Sequence, residues 1–331
     1  MRNAIIHSTG SYLPEKVIPN EELHQFPQDS IVRIAQKTGV LARRIASEDQ
    51  CTSDLGLQAA RKCLAKVDFP PEKLQGIIVS TSSPDRIQPP TASRIQAGLG
   101  ANDAFAFDMN SVCSGSTYGI SMADSLIKSG KYDNILLVAA EMYSRILNPA
   151  DFSTLPYFGD GSGAILFQAG PNGNEAQNGR GVLHSRLGTD GYLCEEVGVH
   201  GCGTMIPHCK ITDPRSAYLK MNGRAILNFA LHRGTETVLK VAEEAGISLH
   251  DVDCFICHQA NINIIKQISS NIGVSADKFF VNLHYYGNTA SASVLIALDE
   301  AISAGRIKQG DLVLTVAFGG GLSYGGNLIR I

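Results

Sequence analysis

Two stretches of this 331-residue chain carry the same pattern 178 positions apart. Leu74-Gln-Gly-Ile-Ile-Val-Ser-Thr81 and Val252-Asp-Cys-Phe-Ile-Cys-His-Gln259 are each a short apolar run, and each follows a segment of helical period, residues 53–66 and 224–245. Further along, Asn134-Ile-Leu-Leu-Val-Ala139 answers to Asp311-Leu-Val-Leu-Thr-Val316, Gly163-Ala-Ile-Leu-Phe167 to Gly326-Asn-Leu-Ile-Arg330, and residues 107–115 to 281–290. Apolar runs of this length, separated by helix-length periodic segments, are strands of sheets covered by helices on both faces. The duplication therefore predicts an α/β protein of two duplicated halves, residues 1–170 and 181–331. Between them, residues 170–180 are polar and without period, which predicts a connection. A second irregular stretch, residues 190–215, is long for a loop in a compact protein and is expected to border a substrate entrance.

In such a fold, side chains at the carboxyl ends of strands converge on a shared crevice. Three candidates sit at those ends: Cys113 in Asn110-Ser-Val-Cys-Ser-Gly-Ser116, His258 in Cys257-His-Gln-Ala-Asn261, and Asn288 in Gly287-Asn-Thr-Ala-Ser291. Cys113 follows a strand-like run, opens an amphipathic helix and is flanked by small residues that leave room for a ligand. The positive end of a helix dipole predicts a lowered thiol pKa and a thiolate nucleophile. A buried structural thiol is the alternative for Cys113 taken alone. A neutral His258 has the chemistry to accept a proton or donate a hydrogen bond, and the Asn288 amide, beyond capping a helix, can polarise a thioester or enolate oxygen. The string Phe318-Gly-Gly-Gly-Leu-Ser-Tyr-Gly-Gly326 is richer in glycine than a turn needs. It lets backbone approach a reacting carbonyl, so that its N–H groups join that of Cys113 in an oxyanion hole. Phe158-Gly-Asp-Gly-Ser-Gly163 lacks the lysine of a phosphate-binding loop and reads as a turn.

A net charge of −3 provides no basic stripe, so nucleic acid is not expected as a partner. The start, Met1-Arg-Asn-Ala-Ile-Ile6, lacks the apolar core of a signal peptide and no run approaches the length of a membrane span, so a cytoplasmic protein without membrane partners is expected. The eight cysteines are scattered, which favours free thiols. Cys254 and Cys257 lie three apart in a strand-like run and face opposite sides, against a redox or metal pair. His200, Cys202, His208 and Cys209 are ligand types in one loop, read first as a plain connection and second as a zinc site.

Taken in order over the whole chain, Cys113, His258-Gln-Ala-Asn261, Gly287-Asn-Thr289 and the terminal glycine string resemble the 3-oxoacyl-[acyl-carrier-protein] synthase III family of the thiolase superfamily. The resemblance implies a thiolase-like five-layered α-β-α-β-α fold, a homodimer and a reaction without cofactor or metal. It implies that Cys113 takes an acyl group from an acyl-CoA or acyl-carrier-protein donor. His258 and Asn288 then assist decarboxylation of malonyl-acyl-carrier protein, and Gly320 is the second oxyanion donor beside Cys113. An Asn in the third motif, where a thiolase has a second Cys, favours the decarboxylative route.

Departures bear on the substrate. Arg33 stands where the family carries a Trp, ahead of Lys37-Thr-Gly39, and Phe152 stands where an arginine completes the clamp on the adenine of coenzyme A. Arg33, Lys37, Phe152 and Asn261 are the substrate-binding candidates on this reading. Asn263 replaces a basic residue of the carrier-docking patch, leaving Lys220, Arg224, Arg233 and Lys266 as candidates, and Pro89-Pro90 lies where an aromatic precedes proline in a loop reaching across the dimer. The altered clamp motivates one alternative, a specialised enzyme that passes the acyl group to another acceptor or condenses it with a different nucleophile; a non-catalytic scaffold or partner subunit is a third reading. Release of carbon dioxide separates the first alternative from the condensing reaction.

Overall fold

A computed structural model describes residues 2–171 and 179–331 of the chain; residues 172–178, most of the expected connection, lie outside the described residues. The first half runs β1 (Ala4–Tyr12), β2 (Lys16–Pro19), α1 (Gln28–Thr38), β3 (Ala42–Ile45), α2 (Thr52–Ala65), β4 (Gly76–Ser80), α3 (Thr91–Leu99), β5 (Phe105–Met109), α4 (Gly115–Lys128), β6 (Asn134–Glu141) and β7 (Gly161–Ala169). The second runs β8 (Gly181–Thr189), β9 (Val197–Val199), β10 (Leu219–Met221), α5 (Gly223–Ala245), β11 (Cys254–Cys257), α6 (Ile262–Asn271), α7 (Leu283–Tyr286), α8 (Ala292–Ser303), β12 (Leu312–Phe318) and β13 (Ser323–Arg330).

The two main sheets are built alike. One has the order β1-β7-β6-β4-β5 and the other β8-β13-β12-β11. In both, the outer pair is antiparallel, the next pair is antiparallel and the following pair is parallel. Even the register repeats: Gly76 pairs with Ile135, and 178 positions on, Cys254 pairs with Val313. Helices α4 and α8 pack between the sheets, α2 lies on the outer face of the first and α5 on that of the second. This gives the five layers α-β-α-β-α. Helix α8 is apolar on nearly every side, with Val294, Leu295, Ile296 and Leu298 all buried, as a central-layer helix must be.

The repeat breaks at one place. Residues 281–290 make no counterpart to β5; the second sheet has there only a single parallel bridge, Phe255 to Phe279, before the chain turns into α7. The Gln259 side chain does the missing pairing. Its Nε2 donates to Phe280 O at 3.2 Å and its Oε1 accepts the Asn282 N–H at 3.1 Å, so a side-chain amide stands in for a peptide unit at the sheet edge.

Candidate active site

Cys113 lies in a tight turn between β5 and α4. The preceding Val112 adopts φ +48°, a left-handed conformation costly for a β-branched residue, on the order of 1–3 kcal/mol. Surrounding bonds hold it there. Val112 N–H donates to Asn110 Oδ1 (3.1 Å), Ser114 Oγ to Ser323 Oγ (2.7 Å), and Ser323 Oγ to Ser111 O (2.9 Å). These last bonds tie the Cys113 turn of one half to the glycine loop of the other. Gly319 in that loop passes so close that a Cβ would come within 2.6 Å of Cys113 N, so glycine is required by contact there. The backbone N–H groups of Cys113 and Gly320 lie beside the Cys113 sulfur and favour its charged form. Two donors converging at that atom can hold the oxyanion of an acyl group attached to it.

The ionisation state differs from the one expected. Burial pushes the Cys113 thiol up to about 12; the negative charge of Glu141 adds to this, while the Tyr143 hydroxyl and the two N–H groups oppose it. The helix-start argument counts only a local dipole, whereas the sulfur lies in the interior, 8% exposed, where desolvation of the thiolate dominates. Cys113 is a thiol in the free protein.

His258 leaves the end of β11, where its N–H donates to Val316 O at 2.8 Å. Its Nδ1 is bonded to Ser293 Oγ at 2.7 Å, and Phe318 meets the ring edge-on with centroids 5.6 Å apart. Nε2 is left for the cavity. Burial lowers the imidazole pKa to about 3, so the ring is neutral through the physiological range. Asn288 is fixed by its backbone: its N–H donates to Tyr157 O (2.8 Å) and its carbonyl accepts from Gly159 N (3.1 Å). Gly287, at φ +65°, brings the chain in, and a Cβ there would lie 2.7 Å from Tyr157 O. The Asn288 Oδ1 accepts the Ala290 N–H at 2.9 Å, which turns Nδ2, a pure donor, to the remaining direction.

Cys113, His258, Asn288 and Gly320 line one cavity of about 380 Å³. Lys37 and Asn261 line it as well; Arg33 and Phe152 do not. Phe152 turns into an apolar cluster with Leu23, Ile31 and Ile34 and meets Phe26 at 5.1 Å, so an aromatic side chain at this position joins the core of the first half instead of facing solvent. Arg33 is exposed on α1, one helical turn before Lys37. Asn263, in place of a basic residue, donates through Nδ2 to Lys37 O at 2.6 Å and joins α6 to α1. Of the irregular stretch 190–215, Val197 in β9 is in the cavity wall, beside Leu219 and Met221 of β10, the strand it pairs with. Among the described residues no group of three or more His, Cys, Asp or Glu is placed to hold a metal ion. Sequence reasoning missed Ser293, Tyr143 and Glu141, whose roles depend on contacts between elements far apart in the chain.

Residues 107–191 match the family model described as 3-oxoacyl-[acyl-carrier-protein] synthase III, and residues 242–331 match the model of its C-terminal part. The chain is 39% identical over 326 residues to the beta-ketoacyl-[acyl-carrier-protein] synthase III of Caldanaerobacter subterraneus subsp. tengcongensis, covering 98% of this chain and 97% of that one. It is 36% identical to the enzyme of the same description from Clostridium acetobutylicum, over 100% and 99% of the two chains. Among solved structures it is similar to 3-oxoacyl-[acyl-carrier-protein] synthase III from Aquifex aeolicus, with a TM-score of 0.89, 36% identity, and 99% and 100% coverage.

Proposed function

The chain belongs to the 3-oxoacyl-[acyl-carrier-protein] synthase III family, and on that footing we propose how its residues divide the work. The protein is an acyltransferase of fatty acid biosynthesis that condenses an acyl group with malonyl-acyl-carrier protein. The relatives favour this reaction over transfer to a different acceptor. Cys113 is the nucleophile. Its sulfur bonds the acyl carbon as the donor's carbon–sulfur bond breaks, and the thiol proton ends on the departing thiol. Because the free thiol is neutral, that proton leaves only in the substrate complex.

In the second half-reaction the bond from malonyl carbon to carboxylate breaks, and its electron pair becomes an enolate on the carrier thioester. His258 Nε2–H and Asn288 Nδ2–H are the donors to the enolate oxygen, two neutral groups that stabilise the charge without protonating the carbon. The enolate carbon attacks the acyl-enzyme. The resulting oxyanion is held by the N–H groups of Cys113 and Gly320, and expulsion of the Cys113 sulfur releases the 3-oxoacyl product. The observation that carries this reading is the meeting, in one cavity, of a sulfur with two N–H donors and two neutral polar side chains.

Lys37 and Asn261 are the contacts for the arm of the donor or carrier, with Arg33 on the same face of α1. Most of the remaining wall is apolar, which suits an acyl chain. The active form is a homodimer in the cytoplasm, and the halves are residues 1–170 and 181–331. Supporting the dimer, Ile87 is 86% exposed in the loop before α3. Among the described residues no helix is long and apolar enough to cross a membrane. Intact-protein mass spectrometry after exposure to acyl-CoA and acyl-carrier-protein thioesters tests the reading. A gain of one acyl group that Cys113→Ala abolishes supports it, and no gain from any donor sinks it.

A further inference from the structure

The mechanism above leaves one polar chain unused. Behind Cys113, β6 ends in Glu141, a fully buried carboxylate whose ionised form desolvation disfavours. It is not bare. Ser83 Oγ donates to Oε2 at 2.6 Å, Ser291 Oγ to Oε1 at 2.7 Å, and Ser82 donates from both N (3.1 Å) and Oγ (3.0 Å). Two residues beyond Glu141, Tyr143 stacks on Phe158 with centroids 4.9 Å apart, lies in the cavity wall, and places its hydroxyl 3.0 Å from Ser82 Oγ. Tyr143 and Cys113 pack in one buried cluster and line the same cavity, which brings this hydroxyl within reach of the sulfur.

Counting protons sets the direction of the chain. Ser82 has one hydroxyl hydrogen and spends it on Glu141, so its oxygen is free to accept from Tyr143. When Cys113 is a thiol, Tyr143 donates back to Ser82 and its oxygen faces the S–H. When the sulfur carries charge, the one Tyr143 hydrogen is needed there, and a turn of the hydroxyl about its C–O bond delivers it. We propose that Tyr143 is a further donor of the active site: its hydroxyl, positioned by Ser82 and Glu141, meets the Cys113 sulfur whenever that sulfur is a thiolate, before acylation and again as the product leaves. Glu141 opposes it when ionised, since a negative charge behind the sulfur disfavours the thiolate. The two act on one atom with opposite sign.

The charged and titratable groups facing Cys113 are Glu141 and Tyr143, with neutral His258 across the cavity and Lys37 in its wall. The test is the rate at which iodoacetamide alkylates Cys113 without substrate, followed by peptide mass spectrometry on the rising limb of the pH profile. Tyr143→Phe keeps the ring on Phe158 and removes one oxygen. It is expected to slow alkylation about tenfold and displace the profile to higher pH by roughly one unit. A purely steric role predicts the reverse, because the change opens room beside the sulfur. Glu141→Gln, nearly isosteric and behind the wall, is expected to displace the profile to lower pH. Should Tyr143→Phe fail to fold, Ser82→Ala is expected to give its upward displacement at smaller size. An unmoved profile in the tyrosine or serine variant, or displacement of the glutamate variant in the same direction as theirs, overturns the proposal. The inference rests on Cys113 as nucleophile, yet the readout involves no thioester. Displaced profiles in a protein that no thioester acylates would retain the donor role and reject the condensing function.

Discussion

The junction at Cys113 and the junction at Asn288 are the same piece of chain built twice. Each lies after the strand-edge position of its sheet and ahead of a central helix, α4 or α8, and each holds a non-glycine residue in the left-handed region, Val112 at φ +48° and Ala290 at φ +46°. They differ in what stands before them. The first is fed by a true strand, β5; the second by a single bridge, a side-chain amide and the short helix α7. The first presents a sulfur against two backbone donors, and the second a side-chain amide whose oxygen is already occupied. One scaffold presents a thiol in one copy and an amide donor in the other, the pair proposed above as nucleophile and electrophilic donor. What decides between them is the residue placed at the turn and the backbone pinned around it.

Electrostatics follows the same division with opposite signs. Burial pushes the thiol up and the imidazole down, so both are neutral in the free protein. Cys113→Ala removes the product of the first junction altogether. Turnover is expected to fall on the order of 10⁴-fold, with no acyl adduct by intact mass. His258→Ala strikes the second half alone: acylation of Cys113 persists while carbon dioxide release from malonyl-acyl-carrier protein falls roughly 10²–10³-fold, the worth of one such donor. A variant that releases carbon dioxide at the parental rate would refute that assignment.

Gly319→Ala tests the seam where the halves touch. Its Cβ would press on Cys113 N, so a loss of about 1–3 kcal/mol is expected by chemical denaturation, with kcat lowered more than KM is raised. The smallest effect is on stability against pH. Unfolded, the His258 ring takes a proton below about 6.5, whereas the folded protein resists it until about 3. Its contribution is whole above the upper value and is lost as pH falls through that window, by at most about 1.4 kcal/mol per pH unit. His258→Asn should flatten that part of the profile relative to the parent. Identical slopes in thermal melts of the two proteins would show that the ring is not buried neutral.

The sequence carried a large share of this because the duplication is written in its periodicity. Matching apolar runs 178 residues apart became strands paired in matching register, and strand ends placed Cys113, His258 and Asn288 around one crevice. Where a pattern stopped being local, the reading stopped with it. Residues 281–290 share the spacing of a strand but lose their ladder to Gln259, and Phe152 leaves the place of a clamp for an apolar cluster.

By itself, then, the sequence determined the two-fold α/β plan and the identity of the three polar groups, since period and motif are properties of neighbouring residues. The tertiary structure alone decided the charge those groups carry and which others reach them. Desolvation of Cys113, the donors at its sulfur and the chain from Glu141 through Ser82 to Tyr143 all depend on how tightly distant segments pack about one atom, and no local spacing encodes that.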